Sequence, residues 1–178
     1  DTEIKFFNDG SAQYTIGHDD ATDNFVVGSA NVDAPLVSVD KSGNVALGAS
    51  PVTWYANQAM LQLGPQMTLH SETTSSASQS GHMSLNAQLD TDGSWEYIYT
   101  SGNKASNYYQ YQGTHNWRVA GSGTAGNDIS WTTAMSINSS GTTNMFAGTS
   151  NVLQLNTSSN TTGTNNYIRC ESESSISS

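Results

Sequence analysis

Asp90, Asp92 and Glu96 lie close together in the stretch LDTDGSWEY. Paired carboxylates about 5–10 Å apart are how glycosidases cut sugars. The neighbouring Trp95, Tyr97 and Tyr99 could stack on sugar rings. The same residues also fit a plainer part, with Asp90 and Asp92 forming a turn and Glu96 on a solvent face. Asp-x-Asp-Gly opens a calcium loop as well, but the remaining ligands of such a loop are missing. The turn reading is carried forward, with no catalytic residue, cofactor or metal ligand assigned.

The histidines His18, His70, His82 and His115 make no His-x-x-x-His or Glu-x-x-His spacing. GHDD, residues 17–20, is expected to be a polar turn. GSGTAG, residues 121–126, matches G-x-G-x-x-G, yet a strand pattern follows it where dinucleotide binding requires a helix. It is expected to be a hairpin loop. Asn138, Asn156 and Asn160 begin glycosylation sequons, which arise by chance in so Ser/Thr-rich a chain. The lone Cys170 forms no intrachain disulfide and has only Arg169 as a basic neighbour.

The aromatic stretch WEYIYTSGNKASNYYQYQGTHNWRVAG, residues 95–121, carries the most information. Trp95, Tyr97 and Tyr99 are expected on one strand face, Tyr109 and Tyr111 on another, and His115 alternates with Trp117. Rings with an apolar face and a polar tip suit glycan or protein contact. They could equally be the core of an oligomeric β-structure. Trp95, Tyr97, Tyr99, Tyr109, Tyr111, His115 and Trp117 are the candidate receptor-binding residues.

Composition narrows the functional classes. The chain has 178 residues, 35% of them hydrophobic and only 11% charged, with a net charge of −10. The five cations, Lys5, Lys41, Lys104, Arg118 and Arg169, are scattered. Nucleic-acid binding needs clustered cations, so no nucleic acid is expected as a partner. No run of about 20 apolar residues is present, so no membrane insertion is expected. The aromatics argue for an ordered chain with a thin core and an amide- and hydroxyl-rich surface. A start at DTEIKFF and an end at ESESSISS suggest a processed or partial piece of a longer protein.

The elements that must position these residues are strands. Alternation is clear in EIKFF, NFVVG, LVSV, WEYIYT, YYQYQ and ISWTTAMSI. In the last, Ile129, Trp131, Thr133, Met135 and Ile137 are expected to share one face. The sole helix candidate is residues 53–64. A turn signature, Asp or Asn followed by Gly, recurs at residues 7–10, 39–43, 89–93 and 137–141. SVDKSGNVALGAS, residues 38–50, is echoed by residues 136–150. The chain therefore divides into an N-terminal β-module (1–50), an aromatic-rich β-domain (51–135), and a hairpin module with a polar tail (136–178). Many short strands leave edges and little core, a deficit that self-association would relieve.

YTIGHDDATDNFVVGSAN, PLVSVDKSGNVALGAS, YYQYQGTHNWRVAGSGTAGNDISWTTAMSINSSG and NTTGTNNYIRCESES together resemble bacteriophage tail fibre and tailspike proteins of the marine or cyanobacterial type. The resemblance implies an all-β, intertwined homotrimer in the virion tail, folded in the host cytoplasm and working outside the cell. It implies contact with other tail proteins and attachment to a host surface glycan or protein receptor; from the residues themselves, no enzymatic activity is expected. Some relatives digest polysaccharide, and many continue into a self-cleaving chaperone domain. Neither activity is carried over to these residues. A cellular surface adhesin or lectin is the remaining alternative.

Overall fold

The computed structural model describes residues 1–74, 80–100 and 102–146. Arg169, Cys170, the sequons at Asn156 and Asn160, and the Gly148–Ser150 end of the hairpin echo lie outside the described residues. The protein is all-β, and the described residues contain no helix. The strands are β1 (Thr2–Asn8), β2 (Ser11–Asp19), β3 (Asn24–Gly28), β4 (Pro35–Val39), β5 (Val45–Leu47), β6 (Gln58–Leu63) and β7 (Met67–Glu72). They continue as β8 (Ser80–Leu85), β9 (Gln88–Leu89), β10 (Trp95–Glu96), β11 (Lys104–Tyr111), β12 (Thr114–Ser122), β13 (Thr132–Ile137) and β14 (Thr143–Met145). Twelve of them form one sheet in chain order, with the β9–β10 hairpin set outside it. The sheet runs without a break across residues 50 and 135.

Local turn chemistry explains the meander. Asp9 and Gly10 take φ of 50° and 79°, the left-handed pair that joins β1 to β2 tightly. In the β4–β5 turn, Asp40 Oδ1 accepts the N–H groups of Ser42 (2.8 Å) and Asn44 (2.9 Å), and Gly43 sits at φ 85°. Asn138 repeats this arrangement between β13 and β14, accepting from the N–H groups of Ser140 (3.1 Å) and Thr142 (2.8 Å). The hairpin and the described part of its echo are thus the same turn.

The helix candidate at residues 53–64 is corrected. Gln58, Met60 and Gln62 are buried while Ala59, Leu61 and Leu63 are not, a period of two that makes this β6. The turn at Gly64 (φ 60°) then returns the chain as β7. All neighbouring strands are antiparallel except β5 and β6, which run parallel. A parallel pair needs a crossover, supplied here by residues 48–57, which lie across one face of the sheet.

That face is covered largely by backbone, and most of its buried side chains are accordingly polar. One register row runs Val26, Ser38, Ala46, Gln62, Thr68, Ser84, Asn107, Arg118. All but Arg118 are buried. Ser38 donates to the Ala49 carbonyl (3.2 Å), Thr68 to the Ala87 carbonyl (3.2 Å), and Gln62 Oε1 accepts from Val52 N–H (3.0 Å). Covering loops bring peptide groups that must be paired, and these side chains pair them. A small apolar core of Ala87, Tyr97, Ala105, Ala120 and Ile129 lies under the β9–β10 excursion.

The opposite face is apolar. One row reads Ile4, Ile16, Val27, Val37, Leu47, Leu63, Met67, Leu85. The next reads Phe25, Val39, Val45, Leu61, Leu69, Met83, Tyr108, Trp117, Met135, Met145. None of these side chains is buried. With strands about 4.8 Å apart the rows extend about 40 Å.

Close packing within the covered layer has a direct consequence at Gly28. A Cβ there would stand 2.0 Å from the Asn31 carbonyl oxygen, a backbone atom with no freedom to rotate away. Gly28→Ala is expected to cost about 1–3 kcal/mol, the usual range for overpacking. Denaturant unfolding measures it, and an unchanged midpoint would mean that the β3–β4 loop is not held where it is described.

Candidate functional site

Arg118 lies on β12, its side chain on the covered face, in a corner made of aromatic rings. Its guanidinium carbon is 4.4 Å from the Tyr109 ring centre, 4.8 Å from that of Trp131 and 5.2 Å from that of Trp95. Trp95 and Trp131 meet edge to face at 5.7 Å. The β11–β12 register sets Asn107 directly opposite Arg118. Asn107 Oδ1 accepts from both Nε (3.1 Å) and Nη2 (2.8 Å), which fixes the guanidinium plane. The Asn107 amide donates in turn to Ser84 Oγ (2.8 Å) and lies 3.4 Å from His82 Nδ1.

Beyond the corner the rings continue. His82 stacks on Tyr109 at 5.2 Å and on His70 at 4.5 Å, the two imidazoles being nearly parallel. Trp54, from the β5–β6 crossover, meets His70 edge-on at 4.8 Å. Gln58 Oε1 lies 3.1 Å from His70 Nδ1 and can only accept, so Nδ1 carries the proton and Nε2 is a buried, unpaired acceptor. Burial first, then the neighbouring His82 and Arg118, pushes His70 down to about 3. Burial and then Arg118 push His82 down to about 4. Both rings are therefore neutral at pH 7. Arg118 is lowered by burial and remains charged, as guanidinium does in proteins.

The candidate residues from the sequence do not share one surface. Trp95 and Tyr109 belong to the Arg118 corner. Tyr97 is buried in the small core and donates its hydroxyl to the Gly121 carbonyl (2.9 Å). Tyr99 is exposed, so the expected common face of Trp95, Tyr97 and Tyr99 does not form; β10 ends at Glu96. Tyr111 is exposed at the end of β11. His115 and Trp117 lie on the apolar face with Tyr108, whose hydroxyl is 2.6 Å from His115 Nδ1.

The expected single face of Ile129, Trp131, Thr133, Met135 and Ile137 is also corrected. Trp117 pairs with Met135 and Arg118 with Thr133, so Ala134 is an extra residue. This bulge turns Met135 and Ile137 to the apolar face and leaves Ile129 and Trp131 in the covered layer. Arg118, Asn107, His82, His70 and Trp131 are not among the candidate binding residues read from the sequence. The signal was the alternation of β12 itself: Arg118, next to Trp117, had to face the other way.

Comparison with family models, with curated proteins and with solved structures returned no match.

Among the described residues no cluster of three or more His, Cys, Asp or Glu side chains could hold a metal ion. His18 sits 3.0 Å from Asp20 and 2.8 Å from Asp23, with Asp23 also bonded to Lys41 and Asp20 to the N-terminal ammonium. This is a surface ion-pair network at the β2–β3 turn. Asp90 Oδ1 accepts the Asp92 N–H (2.8 Å) and Asp92 Oδ1 the Ser94 N–H (2.7 Å), so both act within their turn. Glu96 is raised by desolvation and then by Asp90, Asp92 and Asp128.

Proposed function

We propose that the chain is a non-enzymatic structural and adhesive segment of a bacteriophage tail fibre or tailspike, working as a homotrimer in the virion tail and attaching to the host surface by glycan contact. The observation that supports this reading is the inverted sheet. Its covered face is polar and its open face carries two unbroken apolar rows. Isolated soluble chains rarely expose contiguous apolar patches beyond a few hundred Å². Packing the open faces of three copies against one another would bury both rows and supply the core that each chain lacks. Tyr108, His115 and Trp117 would then be interior, and the Arg118 corner would face outward on each chain.

A polysaccharide-degrading reading keeps one observation in its favour. Glu96 is raised while the nearby Asp92 is lowered, chiefly by hydrogen bonding with Asp90 and Ser94, and such divergence suits an acid and its charged companion. Incubating the protein with a panel of bacterial surface polysaccharides separates the two. Adhesion predicts retention on the polymer with no new reducing ends. New reducing ends that vanish in Glu96→Gln would replace adhesion by hydrolysis.

A further inference from the structure

We infer that the Arg118 corner is a subsite for a carboxylated sugar, so that the glycan bound is an acidic polysaccharide. The inference rests on the adhesive reading and names its ligand class. The chain carries a net charge of −10, yet among the described residues no carboxylate pairs with Arg118. A half-buried cation without an acidic partner forgoes the interaction that usually offsets its desolvation. Here the rings of Tyr109, Trp131 and Trp95 supply part of the compensation.

The donor inventory points the same way. Nε and Nη2 both bond the single oxygen of Asn107. Nη1 has no hydrogen bond within the described residues and is not among the fully enclosed unpaired atoms. A planar guanidinium held in one orientation, with a free donor edge and indole walls, matches a carboxylate attached to a flat, apolar sugar face. The nearby His70 and His82 are neutral at pH 7 and add no competing charge. On so acidic a chain, general electrostatics repels polyanions, so attraction has to be local.

Polygalacturonate and its methyl ester are suitable probes, since they share a backbone and differ in the carboxylate. Binding to each is measured on the native assembly by calorimetry, with dextran as a neutral reference. Polygalacturonate should bind at least about tenfold more tightly than the ester, the worth of a charge-assisted hydrogen bond. Arg118→Gln should abolish the difference and Arg118→Lys should restore part of it. Equal binding of acid and ester by the unaltered protein overturns the inference and needs no variant to fold. Undiminished preference in a folded Arg118→Gln protein overturns it too. Binding of dextran or the ester alone would leave the adhesive reading standing while removing the acidic subsite. Binding of no probe would also remove the subsite, and retention on the bacterial polysaccharide panel then decides the adhesive reading by itself.

Discussion

Replacing Met83 and Leu85 together by Asp should convert the assembly into monomers that keep their β-structure. The two side chains are 45% and 48% exposed in the single chain, one in each apolar row, so aspartates there meet water and leave the sheet intact. In the proposed trimer the same positions are interior. Fully burying a Leu or Met side chain is worth about 1.5–3 kcal/mol, of which roughly half remains to be gained on assembly. The substitution removes that gain in every copy and adds the desolvation of unpaired carboxylates, several kcal/mol each. The expected loss is on the order of 10 kcal/mol per copy, enough to abolish association at micromolar concentration. Size-exclusion chromatography and circular dichroism read the two halves of the prediction. A variant that remains fully associated would place the interface elsewhere.

Acidification should begin to destabilise the protein from about pH 6.5 downward, before the carboxylates protonate. His70 and His82 are held at about 3 and about 4, below their ordinary value of 6.5. Between these values the unfolded chain binds the protons that the folded chain refuses, so stability falls as the pH falls. Their contribution is complete above about pH 6.5 and declines toward pH 4. At about 1.4 kcal/mol per pH unit, each ring accounts for about 3 kcal/mol by pH 4. His18 has the opposite sign. Asp23 and then Asp20 raise it, so its contribution is present below its ordinary value and lost as the pH rises through the raised one. It is an exposed surface group and does not offset the buried pair. Glu3, Asp19, Asp20, Asp23 and Asp92 are lowered by their hydrogen-bonding partners, and their loss comes only below the ordinary carboxylate range. Denaturant unfolding at pH 7, 5.5 and 4.5 measures the slope, and His82→Gln should make it shallower. A flat profile from pH 7 to 4.5 would mean that the stacked imidazoles are not held neutral.

Strands and turns were legible because their rules are local. Asp40 and Asn138 bond the backbone two residues on, and Gly43 and Gly141 close the turn, whatever the rest of the chain does. What the alternation could not say was which face would be covered. In LVSV the ordinary expectation puts valines inside and serine outside. Here Ser38 is buried under the Ala49 carbonyl while Val37 and Val39 look out, because the cover is backbone and its carbonyl needs a donor. The same inversion hid the site. Trp117 is one of the candidates read from the sequence, but its face is the open apolar one, and its neighbour Arg118 points into the ring cluster. The bulge at Ala134 and the parallel β5–β6 pair depend on long-range register, which short-range periodicity does not encode.

The central claim is that the open apolar face is covered by further copies of this chain. Multi-angle light scattering on the purified protein at neutral pH tests it most directly. The account predicts a single species of three times the chain mass, unchanged on dilution through the micromolar range. A stable, soluble species of one chain mass would contradict it.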